Sequence, residues 1–184
     1  PGITLTIANG SGDDLTINGT FLNSGTLSIS TGTMKVNSGA TFIHNTTSAI
    51  SSILNVTTFD INSNFIYQGS SSLTPSVSIS GRTFGNLSFV STSGSWSATP
   101  GGNSAFSCNN LNVGTGVTIN NNNTANFLIN GDLTIDGSFI SISTQIFKLQ
   151  GASKIMSGIS LTNFFDSLYI TSGASYSVQN TLRL

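Results

Sequence analysis

Apolar and polar residues alternate along this chain in short runs, about three to six residues each, closed by small polar pairs that usually contain glycine. The run Ile3–Ile7 reads ITLTI and ends at Asn9-Gly10; Leu27–Ile29, Met34–Val36 and Thr41–Ile43 repeat the form. The clearest phrase is Gly131–Phe139, GDLTIDGSF, with a near twin 118 residues earlier in Asp13–Phe21, DDLTINGTF. Period-two alternation sends Leu133 and Ile135 to one side of a strand and Thr134 to the other. Asp136-Gly137 and Asn18-Gly19 then read as turns, because Asn and Gly tolerate positive φ at little cost. No window carries apolar residues at helical spacing, and β-branched residues dominate, so strands are expected throughout.

The pattern loosens over Asn45–Thr58 and resumes at Phe59, Ile61, Phe65 and Tyr67. Residues 91–104 form the longest weak stretch and hold the only tryptophan, Trp96; they read as a loop projecting from the body. Leu15, Met34 and Leu54 recur at 19 and 20 residues, and Val77, Leu111, Leu133 and Leu168 extend the series less regularly. A period near 20 residues with about three short strands per period is that of a solenoid rung. The expected fold is all-β: a parallel β-helix of about eight or nine irregular rungs, one segment over residues 1–184, on the order of 40 Å long at the usual strand spacing. A β-sandwich is the rival, but it takes longer strands with turn signals every 8–12 residues or so.

Composition adds constraints. Only 6% of residues are charged, yet 37% are hydrophobic and the net charge is −1, which fits an ordered, polar-coated β protein rather than a disordered one. Lys35, Arg82, Lys148, Lys154 and Arg183 are scattered singly, so no patch for nucleic acid is expected. No apolar run approaches the length of a membrane span. The chain starts at Pro1 and stops in the strand-like NTLRL, and is read as part of a longer or processed chain. Cys108 is the only cysteine and reads as a buried, inert thiol.

Two phrases, TFGNLSF at Thr83–Phe89 and NFFDSLYI at Asn163–Ile170, share the form Phe-x-x-Leu-x-aromatic or Ile. With GDLTIDGSF they resemble the Ser/Thr/Asn/Gly-rich repeats of large secreted surface proteins of Bacteroidetes-type bacteria. The resemblance covers most of the chain through short motifs, and departs from the family's regularity at residues 91–104. It implies a parallel β-solenoid exported to the bacterial cell surface, commonly within an adhesin or filament, and it implies no catalytic residue.

Candidate chemistry is sparse. Asp132 and Asp136 lie four apart and invite reading as a carboxylate pair or calcium ligands. Asn18 stands at the twin position of Asp136, however, which argues for turn chemistry, and Asp13-Asp14 reads the same way. His44, the only histidine, closes a strand without a Cys or second His near it, so neither a metal ligand set nor a nucleophile is expected. Asp166-Ser167-Leu168 resembles the O-glycosylation site of Bacteroidetes-type organisms, with Ser167 carrying the sugar. Trp96 is a candidate glycan contact or, alternatively, a hydrophobic plug over a rung. Asn120–Asn123 reads as a corner able to bond the neighbouring rung, or as a surface loop. No cofactor, metal or catalytic residue is expected. The reading is a non-enzymatic structural segment of an extracellular filament, stalk or adhesin, whose partners are its own chain or another copy, end to end, and surface glycans. A carbohydrate-binding or carbohydrate-cleaving β-helix is the alternative.

Overall fold

The computed structural model describes residues 3–141, 145–158 and 167–179. The chain is a parallel β-solenoid of about seven turns. The first turn comprises β1 (Thr4–Ile7), β2 (Leu15–Ile17) and β3 (Thr20–Asn23); the second, β4 (Thr26–Ile29), β5 (Met34–Val36) and β6 (Thr41–His44). The third has a helix, α1 (Ser51–Asn55), before β7 (Thr57–Phe59) and β8 (Asn64–Gly69). The fourth ends in β9 (Asn86–Ser91), and the fifth holds β10 (Trp96–Ala98), β11 (Gly101–Gly102), β12 (Phe106–Cys108) and β13 (Leu111–Val113). Then follow β14 (Val117–Asn123), β15 (Phe127–Ile129) and β16 (Leu133–Ile135), and β17 (Ser138–Ser141), β18 (Ile146–Leu149) and β19 (Lys154–Ser157). The strands β20 (Ser167–Ile170) and β21 (Tyr176–Val178) close the series.

These strands stack into three faces, all parallel. The first face pairs β1 with β4, and further along β10 and β11 with β14, then β14 with β17. The second pairs β2, β5 and β7, breaks, and resumes as β12, β15, β18 and β20. The third is one unbroken sheet of eight strands from β3 to β21. Its inward column is Phe21, Phe42, Phe65, Leu87, Leu111, Leu133, Met156 and Val178, at steps of 21 to 24 residues.

The expected period of 20 is therefore too short; the eight strands stacked in the third face, about seven turns from first to last, stand at the lower end of the expected eight or nine rungs. Leu54, placed in register with Leu15 and Met34 on spacing alone, lies in α1, and Met34 pairs with Thr57 instead. That helix replaces a strand at the loosened stretch and buries Ile53 and Leu54 in the core. Residues 91–104 are not a projecting loop either. Trp96–Ala98 and Gly101–Gly102 pair in register with β14, so this stretch is part of the first face.

Inside, equivalent side chains pack on one another. Phe42 meets Phe21 and Phe65 edge-on at 5.4 and 5.1 Å between ring centroids. Phe127 lies among Phe106, Phe139 and Phe147, edge-on to the first two and stacked on the third at 4.6 Å. Aromatic pairs in these geometries add about 0.5–1.5 kcal/mol beyond the area they bury.

The twin phrases do not occupy equivalent places. Leu15–Ile17 is on the second face, whereas Leu133–Ile135 is on the third. Their glycines differ as well. Neither has positive φ, contrary to the turn reading. A Cβ at Gly137 would lie 2.4 Å from the carbonyl oxygens of both Gly114 and Val117, while one at Gly19 would meet nothing within 4 Å. Glycine at 137 is thus required by the close approach of the preceding rung. Gly137→Ala is expected to lower stability by roughly 1–3 kcal/mol, since backbone must move. Gly19→Ala should be neutral or stabilising by under about 1 kcal/mol. Chemical denaturation of the two variants side by side checks this, and equal effects would refute it.

Candidate functional site

The carboxylates are structural acceptors. Asp132 is half-buried at the head of β16, and its Oδ1 accepts the Ile155 amide of the next rung at 2.8 Å. Asp14 does the same from the twin position: Oδ2 accepts the Thr33 amide of the next rung at 2.7 Å, and Oδ1 accepts the Gly10 amide. The Thr33 and Gly10 amides hold the Asp14 carboxyl below the usual carboxylate range. Asp136 shares the outward side of the strand with Asp132, as alternation requires. Among the described residues no group of three or more His, Cys, Asp or Glu is placed to hold a metal ion.

Asparagines continue this ladder. Asn86 Nδ2 donates to Asn64 Oδ1 at 3.1 Å, Asn110 Nδ2 donates to Asn86 Oδ1 at 2.7 Å, and the Asp132 amide donates to Asn110 Oδ1 at 2.6 Å. Each link joins neighbouring rungs at one corner of the prism. The stretch Asn120–Asn123 belongs to a strand, not a surface loop. Asn121 and Asn123 point inward and are fully buried; Asn121 donates to Gln145 Oε1 and Asn123 to the Ser104 carbonyl at 3.0 Å.

His44 closes β6 and is fully buried in the column that Asn23 begins and Tyr67 continues. Asn23 Nδ2 donates to its Nδ1 at 3.2 Å, so the ring proton sits on Nε2, which has no hydrogen-bond partner. Burial pushes its pKa down to about 4, although the Ser48 backbone lies close enough to favour the charged form in part. Cys108 is buried, and burial pushes its thiol up, which leaves it protonated and inert.

Trp96 is 4% exposed. Its Nε1 donates to the Val90 carbonyl at 2.9 Å, its ring leans on Phe89, and the missing side chain of Gly69 makes room for it. It plugs the core between rungs and is not a glycan contact, because the indole has no face open to a ligand. Ser167 is exposed at the head of β20, where its hydroxyl is accessible, while Asp166 lies outside the described residues.

A concave feature that spacing did not suggest is at the break in the second face. A groove of about 330 Å³ runs between β7 and residues 81–83, lined by Leu54, Asn55, Thr57, Thr58, Phe59 and Arg82 among others. Residues 79–84 pair forward with rung five, through Gly81 to Ser104 and Arg82 to Ser107, and no hydrogen bond joins them to β7. Met34 donates to Val56 and Asp60 to Val36 on the other side of β7, so alternation turns the main-chain groups of Thr57 and Phe59 toward the groove. The Arg82 side chain crosses it, with Nη2 donating to the Ser51 carbonyl at 3.2 Å and Nε left without a partner. Burial lowers the guanidinium's pKa and Tyr67 acts in the opposite direction.

Lys35 and Lys148 stand outward on this same face, at the centres of register rows Thr16–Lys35–Thr58 and Leu128–Lys148–Tyr169. The sequence does hold a signal for their orientation, since each lysine sits between inward residues, in MKV and FKL. It holds none for their sharing a face. Among the described residues no helix is long and apolar enough to cross a membrane. No family model, curated protein or solved structure matches the chain.

Proposed function

We propose that this chain is a non-enzymatic structural segment of an extracellular bacterial filament, stalk or adhesin. The observation that carries the reading is the unbroken third face, with eight parallel strands over one continuous apolar column. Such stacking makes each rung depend only on its neighbours and gives a stiff unit that extends by addition. The corner ladder of Asn and Asp side chains satisfies polar groups rung to rung and adds direction to the stack. The surface-repeat resemblance of TFGNLSF and GDLTIDGSF supports export, as does a surface coated with Ser, Thr and Asn. The described aspartates are divided among rungs one, three and six, no more than two to a rung, which favours a scaffold over a carbohydrate-cleaving enzyme.

The first rung offers a surface for continuation, either within the chain or from another copy. Ile3 and Leu5 are 87% and 45% exposed, and β1, β2 and β3 each pair on one side only. An open edge of this kind invites strand addition. Backbone amides of β1–β3 are therefore expected to exchange slowly in the native assembly and faster in the isolated segment, as read by hydrogen–deuterium exchange. Fast exchange in both would remove the end-to-end part of the proposal. Electron microscopy of native material, with antibody against this segment, tests the role itself: label along surface filaments supports it, and label confined to the cytosol refutes it.

A further inference from the structure

We propose that the second face binds a linear acidic polysaccharide, a uronate chain lying along the rod, with one carboxylated sugar seated in the groove beside Arg82. The assignment does not depend on the rod's role as a scaffold.

Charge is the first argument. Lys35, Arg82 and Lys148, three of the chain's five basic residues, lie on this one face. None of its described strands carries an acid. Of the nearest corner carboxylates, Asp14, Asp60 and Asp132 each accept backbone amides, which ties them to the frame, and Asp13 is an exposed acid at the first-rung end of the face. At the usual strand spacing Arg82 is roughly 10 Å from the Lys35 row and roughly 14 Å from the Lys148 row along the axis. A chain of single negative charges matches so sparse a row of cations. Nucleic acid needs several phosphates neutralised together.

The groove is the second argument. Arg82 is a half-buried cation with no ion pair among the described residues, and such a group gains from an anion that the fold does not supply. A guanidinium pairs with a planar carboxylate through two parallel hydrogen bonds. Around it, Thr58 and Asn55 offer hydroxyl and amide groups suited to sugar hydroxyls; the Thr57 hydroxyl donates to the Ile53 carbonyl and the Thr83 hydroxyl accepts from Ser107, and Phe59, packed on Phe65 and Phe84, lines the wall. The unpaired main chain of β7 adds further donors and acceptors. Along the same face, Tyr169 is 56% exposed next to Lys148, a pairing of ring and charge that suits a second sugar.

The test is calorimetric titration of the purified chain with oligogalacturonate, its methyl ester, poly-L-glutamate and single-stranded DNA. Oligogalacturonate should bind, more weakly as salt is raised. The methyl ester, which keeps the sugars and removes the charge, should bind at least about tenfold more weakly, and Arg82→Gln should lose a similar factor. Lys35→Gln and Lys148→Gln should each lose a few-fold, and Lys154→Gln, on the third face, nothing. Absence of oligogalacturonate binding, equal binding of the ester, or an unchanged Arg82→Gln overturns the proposal. Equal or tighter binding of polyglutamate or DNA overturns it in favour of an acidic peptide or a nucleic acid. Should Arg82→Gln fail to fold, the surface pair Lys35→Glu with Lys148→Glu decides: binding must be abolished, and wild-type binding refutes the face.

Discussion

Replacing Phe127 by alanine is expected to destabilise the solenoid by about 3–5 kcal/mol. The ring is fully buried at the centre of a four-ring cluster drawn from rungs five to seven, with Phe106 at 4.2 Å and Phe147 at 4.6 Å between centroids. Truncation removes its transfer free energy and leaves a cavity. Strands hydrogen-bonded above and below hold that cavity open, because collapse would break the ladder of β12, β15 and β18. Urea denaturation followed by circular dichroism reads the effect as a lower midpoint. The half-buried end residue Phe21, with one ring neighbour at 5.4 Å, provides the comparison. Phe21→Ala should cost clearly less, since a terminal rung has one neighbour to lose. A loss under about 1 kcal/mol at Phe127 would mean that the core is not packed as described.

Acidification is the second large effect. His44 is buried neutral, with its pKa pushed from 6.5 down to about 4. The unfolded chain takes up the proton first as pH falls, so protonation favours unfolding. The native state accordingly keeps its full stability above about pH 6.5 and loses it progressively down to about pH 4, where the folded ring also protonates. A shift of this size corresponds to a loss on the order of 3 kcal/mol across the window. Asp14 acts on the same side but lower: its depressed carboxyl contributes stability above the ordinary value of 3.8, lost as pH falls below it. The two windows separate the two groups. Denaturant midpoints of wild type should fall between pH 7 and pH 4, and those of His44→Phe should stay nearly level. The variant places a ring in the Asn23–His44–Tyr67 column without a titrating group. A wild type whose midpoint does not move over this range would show that His44 is not buried as described.

Local features were legible in the sequence to different degrees. Alternation alone assigned Leu133 and Ile135 inward and Thr134 outward, and the burial of β16 agrees. The corner role of Asp136 followed from Asn18 in the twin phrase. The equivalence of Asp14 and Asp132 also extends to their bonds, since each accepts an amide from the residue in register one rung on. By contrast, Trp96 was misplaced within a loop because Gly, Ser and Pro around it mimic loop composition. The glycines there lie against the preceding rung, where a Cβ at Gly94 would meet Ser71 and one at Gly102 would meet Ser80, and Gly69 opens the space that the indole fills. The period reads short for a related reason. Leucines of the second face, the third face and α1 were set in one series, and nothing local distinguishes them.

By itself the sequence determined the strand alternation, the corners and the parallel solenoid class, because these depend on side-chain period and on the small polar pairs that close each short run. Tertiary structure decided which face each phrase occupies, the period of 21 to 24 residues, and the gathering of Lys35, Arg82 and Lys148 on one side. Those features depend on which main-chain groups pair between strands about one turn apart. The twin phrases show the limit: DDLTINGTF and GDLTIDGSF fold alike, yet lie on different faces, because the stack above and below assigns their place.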